Sequence, residues 1–299
     1  MAAAAWFGAA ADHSVPATGA GLVDCAATLA SQGGDAVSAP ILSVRDLGKR
    51  FGAMIAARDI TVSLPAQQTV GVIGSNGAGK TTFINMVTGH LRPTQGAIYF
   101  EERDITGLPS RAIKAMGISR SFQVAQIFPS LTVFDNICVA AAIGHAPKHF
   151  IGHVYTPLRS REAVAEAETL LDLFQIGRYR DTLAATLPQG VRKLLDIGMA
   201  VAGSPRLLLL DEPTSGISIE EKFDLMQIVM LALRDRRITV LFVEHDMEIV
   251  ERFAERVLAF YDGTVIADGT PAATLADARV QALISGPRPK GAAGTVADV

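Results

Sequence analysis

Short runs of β-branched and apolar residues begin near Ile41: ILSVRDLGKRFG, DITVSL and TVGVIG, separated by Gly, Pro and polar turns. That pattern predicts strands. Gly96 to Phe100 predicts a further strand, Pro109 to Met116 a short helix, and Gly117 to Phe122 a strand-like stretch running into Gln123. The period then changes. FPSLTVFDNICVAAAIG carries helical signals with Thr132 as a candidate N-cap, a Gly/Pro/His-rich segment covers His145 to Pro157, and an amphipathic pattern runs from Ser160 to Phe174. Strand and helix alternate again from Arg206. Leu207 to Leu210 is an uninterrupted apolar run, as a parallel strand covered on both faces requires. Glu220 to Arg234 reads as a helix, ITVLFVEHD as a second buried strand with its polar residues at the C-terminal end, and Arg256 to Ala267 as a hairpin around Asp262-Gly263. The expectation is an α/β fold interrupted by a helical insertion over about 124–202. No internal repeat is present.

Composition narrows this picture. A chain of 299 residues has room for a sizeable core, and a net charge of −3 argues against a broad nucleic-acid footprint. Its two cysteines, Cys25 and Cys138, lie far apart, which suits reduced thiols, and Cys138 sits in an apolar helical stretch as a small hydrophobe. No apolar run approaches the roughly 18 residues of a membrane span. Residues 1–40 are Ala-rich and contain no Lys or Arg, so they lack the charged start of a signal peptide and are expected to form a loose tail, as are residues 286–299.

Chemistry enters at VGVIGSNGAGKTT, Val70 to Thr82. An apolar run leads into a loop with Gly74, Gly77 and Gly79, and Lys80 and Thr81 open an apolar-periodic helix, with the spacing G-x-x-x-x-G-K-[ST]. Glycines let backbone N–H groups close around phosphates without a Cβ in the way, and Ser75, Asn76, Ala78 and Thr82 belong to the same cradle. The helix N-terminus adds partial positive charge and Lys80 a full one toward the β- and γ-phosphates. The Thr81 hydroxyl is placed to ligate Mg²⁺. These residues point to a nucleoside-triphosphate site. Phe51, next to Arg50 and ahead of the loop, is a candidate to stack on adenine, with a core aromatic as the other reading.

Two carboxylates end the LLLL strand. Asp211 is positioned to hold Mg²⁺, directly or through water, and Glu212 to orient or deprotonate an attacking water. A helix-cap pair is the alternative. His145, His149 and His153 have the four-residue spacing of metal ligands, but Pro147 would break the helix that this geometry needs, so an exposed loop is preferred.

With GSNGAGKTT (Walker A), Gln123 in RSFQ, Leu187 to Val191, LLLLDEP (Walker B) and His245 in VEHD in this order, the chain from about Ile41 to Gly286 resembles the ATP-binding subunit of an ABC transporter. FPSLTVFDNI, the insertion near 144–160, VEHDMEIVERFAERV and DARVQALISG look like the branched-chain (hydrophobic) amino-acid uptake subfamily. The resemblance implies a P-loop NTPase (RecA-like) core with an antiparallel β subdomain and an inserted helical subdomain, a single ATPase domain over 41–285. It implies ATP and Mg²⁺ as ligands. It also implies a dimer of two ATPase subunits on the cytoplasmic face of the membrane, seated under two membrane permease subunits and served indirectly by a solute-binding protein. Within it, His245 steadies the γ-phosphate, and Gln123 joins Thr81 and Asp211 around Mg²⁺ and senses loss of the γ-phosphate. Leu187, Pro188, Gln189 and Gly190 occupy the signature position, which acts on the partner's nucleotide.

Two departures from the family pattern qualify these implications. The usual signature L-S-G-G-Q appears as Leu187-Pro188-Gln189-Gly190-Val191, without the serine hydroxyl. The Gly190 N–H and the N-terminus of a helix from Val191 remain as contributors. The usual D-loop S-A-L-D appears as Ser215-Gly216-Ile217-Ser218. Two alternatives therefore stand beside an importer ATPase: a non-transport ABC ATPase acting in assembly or repair, and a nucleotide-binding scaffold that barely hydrolyses. The transported solute is not written in this chain.

Overall fold

The computed structural model describes residues 39–121, 126–145 and 159–285. In chain order the elements are β1 (Leu42–Phe51), β2 (Met54–Leu64), β3 (Thr69–Gly74), α1 (Lys80–Val87), β4 (Gln95–Phe100), β5 (Arg103–Asp104), α2 (Ser110–Ala115) and β6 (Ile118–Arg120). Then come α3 (Val133–His145), α4 (Arg161–Leu173), α5 (Gln189–Val201), β7 (Leu207–Asp211), α6 (Ile219–Asp235), β8 (Thr239–Val243), α7 (Met247–Phe253), β9 (Arg256–Tyr261), β10 (Thr264–Gly269) and α8 (Pro271–Ala276).

The strands sort into two sheets by their burial pattern. Along β2, buried and exposed positions mostly alternate, the mark of a strand covered on one face. It joins an antiparallel sheet of order β2-β1-β4-β5. β7 and β8 are buried at every position, and they sit in a six-stranded sheet of order β10-β9-β3-β8-β7-β6. There β9, β3, β8, β7 and β6 run parallel, and β10 closes one edge as the antiparallel partner of β9 through a turn in which Asp262 and Gly263 have φ of 46° and 76°. This is the α/β architecture expected from the alternation of strands and helices.

Side-chain alternation along the parallel strands divides the core in two. Leu208 and Leu210 of β7, Val240 and Phe242 of β8 and Ile73 of β3 face a cluster built with α3 to α7. Leu207, Leu209, Leu241, Val243, Val70 and Val72 face the other cluster, which includes Phe83 and Ile84 of α1 and the inner face of the antiparallel sheet. With both faces covered, polar groups can appear only at the strand ends.

Helix starts follow the capping residues in the sequence. Thr132 accepts from the Asp135 N–H at 3.1 Å and Ser160 from Ala163 N–H at 3.1 Å. α3 packs on both α4 and α5 in the stretch read as an insertion. One boundary differs from expectation: α5 begins at Gln189, not Val191, with Pro188 at the N-cap and the first helical bond from Arg192 N–H to Pro188 O at 3.0 Å. The proline needs no donor there, and a glycine in the first turn does not stop the helix. The His149 and His153 positions, Gln123 and both terminal tails lie outside the described residues. Among the described residues no helix is long and apolar enough to cross a membrane.

Asn136 pins the turn before α3. Fully buried, it accepts from Phe128 N–H at 2.7 Å and donates to Phe128 O at 3.1 Å and Thr132 O at 2.8 Å. Replacing it by alanine leaves the Phe128 N–H without its acceptor, while the Phe128 and Thr132 carbonyls keep the Leu131 and residue-136 N–H groups, so Asn136→Ala is expected to lower the unfolding free energy by about 1–3 kcal/mol, read as a shifted midpoint at unchanged slope in urea melts.

Candidate functional site

The C-terminal ends of β3, β7 and β8 lie side by side: Val72 pairs with Val243, and Asp211 pairs with Val243 from the other side. Crevices at this end of a parallel sheet are where α/β folds bind ligands. The loop leaving β3 runs through Ser75, Asn76 and Gly77, all exposed, to Gly79, where α1 begins with no side-chain cap and no acidic residue in its first turn. The first N–H groups of α1 are therefore left for an anion.

Each glycine of this loop has its own reason. A Cβ on Gly74 would collide with the Phe260 carbonyl oxygen on β9, and one on Gly79 would lie 2.8 Å from the Ala56 carbonyl oxygen on β2. Gly77 has open space around it and needs only its φ of 81°. Ala78 is buried beneath the loop, while Thr81 is exposed and Thr82 half-buried on the first turn of α1. Lys80 is buried, and its Nζ donates to Gly74 O at 2.6 Å and Ser75 O at 2.9 Å. Burial pulls this ammonium below the ordinary lysine range, opposed by the charges of Glu212 and Asp211, so both carboxylates share its environment. Phe51 is exposed at the β1–β2 hairpin, with Lys49 Nζ 5.1 Å from its ring centre. The same β2 strand supplies Ala56, the neighbour of Gly79.

Asp211 ends β7 and accepts from the Arg120 guanidinium at 2.5 Å; Arg120 also donates to Asn85 Oδ1 on α1 at 2.6 Å. Arg120 thus ties the strand before Gln123 to both α1 and the end of β7, a role that nothing in the sequence pattern signalled. Glu212 has φ of 48°, a left-handed conformation that costs a non-glycine residue about 1 kcal/mol or more and clusters at functional sites. It is held by its N–H bond to Val243 O at 3.1 Å. That twist turns its side chain toward β8, where Glu212 Oε1 lies 2.8 Å from His245 Nε2. Glu244, between β8 and His245, is buried and bonds to Thr214, and was likewise not singled out from sequence. Lys193 of α5 is also buried, its pKa lowered by burial against the opposing charges of Asp196, Glu244, Asp211 and Glu212.

Among the described residues no cluster of three or more His, Cys, Asp or Glu could hold a metal ion. Mg²⁺ does not need one, because it binds through one or two carboxylates and substrate phosphates. The Asp211 carboxylate and Thr81 hydroxyl are hard oxygen donors of that kind.

In the signature stretch Leu187 is buried, Pro188 and Gln189 are exposed, and a Cβ on Gly190 would meet nothing within 4 Å. Gln189 lies over Gly216, which has φ of 75°; a Cβ at 216 would collide with its amide nitrogen. The two departures from the family pattern are therefore in contact within one chain. Ser218 caps α6, accepting from Glu221 N–H at 3.3 Å, so at this position serine does the capping work that aspartate also does.

Residues 57–215 match the ABC transporter family. The chain is 34% identical over 238 residues, 79% of its length and 93% of the relative's, to the high-affinity branched-chain amino acid transport ATP-binding protein LivG of Salmonella typhimurium. It is 34% identical over 239 residues, covering 79% of its own length and 93% of the relative's, to the corresponding BraF of Pseudomonas aeruginosa. Among solved structures, the ADP conformation of MJ1267, an ATP-binding cassette of an ABC transporter, superposes with a TM-score of 0.73 at 29% identity, over 82% of this chain and 98% of that one. The strand order, the glycine loop at the end of β3 and these likenesses agree: this chain belongs to the ABC transporter family and has the fold of its ATP-binding cassette.

Proposed function

We propose that this chain binds and hydrolyses ATP to power an ABC importer, and that its cargo is a branched-chain amino acid or a related small solute. The observation that carries the hydrolytic reading is the Glu212–His245 pair, 2.8 Å apart beside the loop that holds Lys80. In this reading the loop from Gly74 to Thr82 wraps the phosphates, Lys80 turns from the Gly74 and Ser75 carbonyls to the β- and γ-phosphates, and Phe51 stacks on adenine. Thr81, Asp211 and Gln123 would hold Mg²⁺, whose charge offsets that of the phosphates. Glu212 aligns the attacking water, and His245 keeps Glu212 oriented and steadies the γ-phosphate. The open space at Gly190 suits approach to the nucleotide of a second ATPase subunit, with Gly190 N–H and the α5 N-terminus as donors. Closure favoured by ATP and not by ADP then becomes work on two membrane permease subunits at the cytoplasmic face of the membrane. The names of the LivG and BraF relatives support the choice of solute, which a solute-binding protein would deliver.

Glu212→Gln is expected to cut steady-state turnover by about a hundredfold or more while ATP binding stays within threefold. Turnover near wild type would remove Glu212 from the role given to it. Lys80→Ala should weaken ATP binding by about ten- to a hundredfold, the worth of a charge-assisted hydrogen bond, measured by titration with a fluorescent ATP analogue. Gly216→Ala should slow turnover severalfold, through strain at its φ of 75° and through displacement of Gln189, and adding Gln189→Gly should restore the part that comes from the displacement. Additive losses in that pair would mean that their contact has no bearing on the cycle.

A further inference from the structure

We propose that Glu244 is a positioning residue for hydrolysis: its buried carboxylate fastens the turn that carries His245 to the turn that follows Glu212. The inference rests on the roles given above to those two side chains and goes beyond them to what holds the pair together.

Glu244 is only 4% exposed. One carboxylate oxygen accepts from Thr214 N–H at 2.9 Å and Thr214 Oγ1 at 2.7 Å; the other accepts from His245 N–H at 3.3 Å. Its own N–H bonds to Val72 O at 3.3 Å on β3. A single side chain and its amide thus join the ends of β3, β7 and β8, the three strands that carry the site. Thr214 belongs to the tight turn in which Ser215 N–H bonds to Glu212 O at 3.1 Å, so a fixed Thr214 fixes the path of Glu212. On the far side of His245, Asp246 caps α7 through Glu248 N–H at 3.0 Å and pairs with Lys222 of α6. His245 therefore sits in a turn clamped at both shoulders, with 42% of its side chain exposed.

A carboxylate is an expensive choice for this place. Burial pushes its pKa up, and the nearby charge of Glu212 pushes in the same direction, against the bonds from Thr214 and His245. A turn that needed only filling would be better served by an apolar side chain. What Glu244 supplies is two rigidly linked acceptors, each assigned to one of the two turns. Lys193 from α5 supplies positive charge in its surroundings.

The test is steady-state hydrolysis and nucleotide affinity of the full chain bearing Glu244→Gln, Glu244→Ala, Thr214→Val, His245→Ala and the Glu244→Ala/His245→Ala double change, with thermal melts as a check on folding. Glu244→Ala and Thr214→Val are expected to lower kcat by about tenfold or more with nucleotide affinity within threefold, as for a misplaced catalytic group. Glu244→Gln should lower kcat as well, because its amide oxygen still accepts both bonds from Thr214 but its NH2 group cannot accept from His245 N–H. Glu244→Ala added to His245→Ala should cost less than about twofold more, since the two act as a unit. Losses that multiply in the double variant, a Gln variant at the wild-type rate, or a change in affinity at unchanged kcat would each overturn the proposal. Should Glu244→Ala fail to fold, Thr214→Val and Glu244→Gln decide it, through the same kcat and affinity readings. A His245→Ala variant with wild-type turnover would instead strike down the role of His245, and the proposal with it.

Discussion

A parallel strand covered on both faces leaves no room for charge except at its ends. β7 and β8 are buried at every position, and taking an ion out of water costs several kcal/mol unless it is paired. The parallel register puts the C-terminal ends of β3, β7 and β8 at one level, so every polar group these strands carry outward emerges in the same crevice. Lys80, Asp211, Glu212, Glu244 and His245 are neighbours because of that constraint. Arg120 pairs with Asp211 there, and Glu212 is hydrogen-bonded to His245.

The structure also changes the meaning of the departures from the family pattern. Taken one at a time, Pro188 and Ser218 read as losses. In the fold, Pro188 sits at a helix N-cap where its missing N–H has no cost, and Ser218 caps α6. Gln189 rests on Gly216, where a larger residue would displace it. What is absent is a hydroxyl at the signature position; what stands there is an amide that lies against the turn after β7. These replacements keep both helix starts intact, and leave Gly190 in open space.

Much of the site was legible from residue types alone. The glycine spacing before Lys80 has few structural uses besides holding phosphates, and two carboxylates after LLLL need a charged partner, solvent or a ligand. Arg120 and Glu244 were not legible, and for the same physical reason. Each acts through a partner far away in the chain, 91 residues for Arg120 with Asp211 and 30 for Glu244 with Thr214, so no local periodicity marks them. The start of α5 was misjudged by two residues because Pro188 and Gly190, one residue apart, look like a break, while their places at the N-cap and in the first turn are ones that a helix accepts.

By itself, the order of residues determined which segments become strands and helices, which of them are buried on both sides, and that a phosphate-binding loop opens α1. Those are consequences of hydrophobic period and backbone freedom, both local properties. Tertiary structure alone decided that Glu212 turns with a left-handed φ toward His245, that Asp211 meets Arg120, and that one buried carboxylate spans two turns. These depend on sheet register and on which strands become neighbours, and the energy that selects them comes from burying the whole core at once.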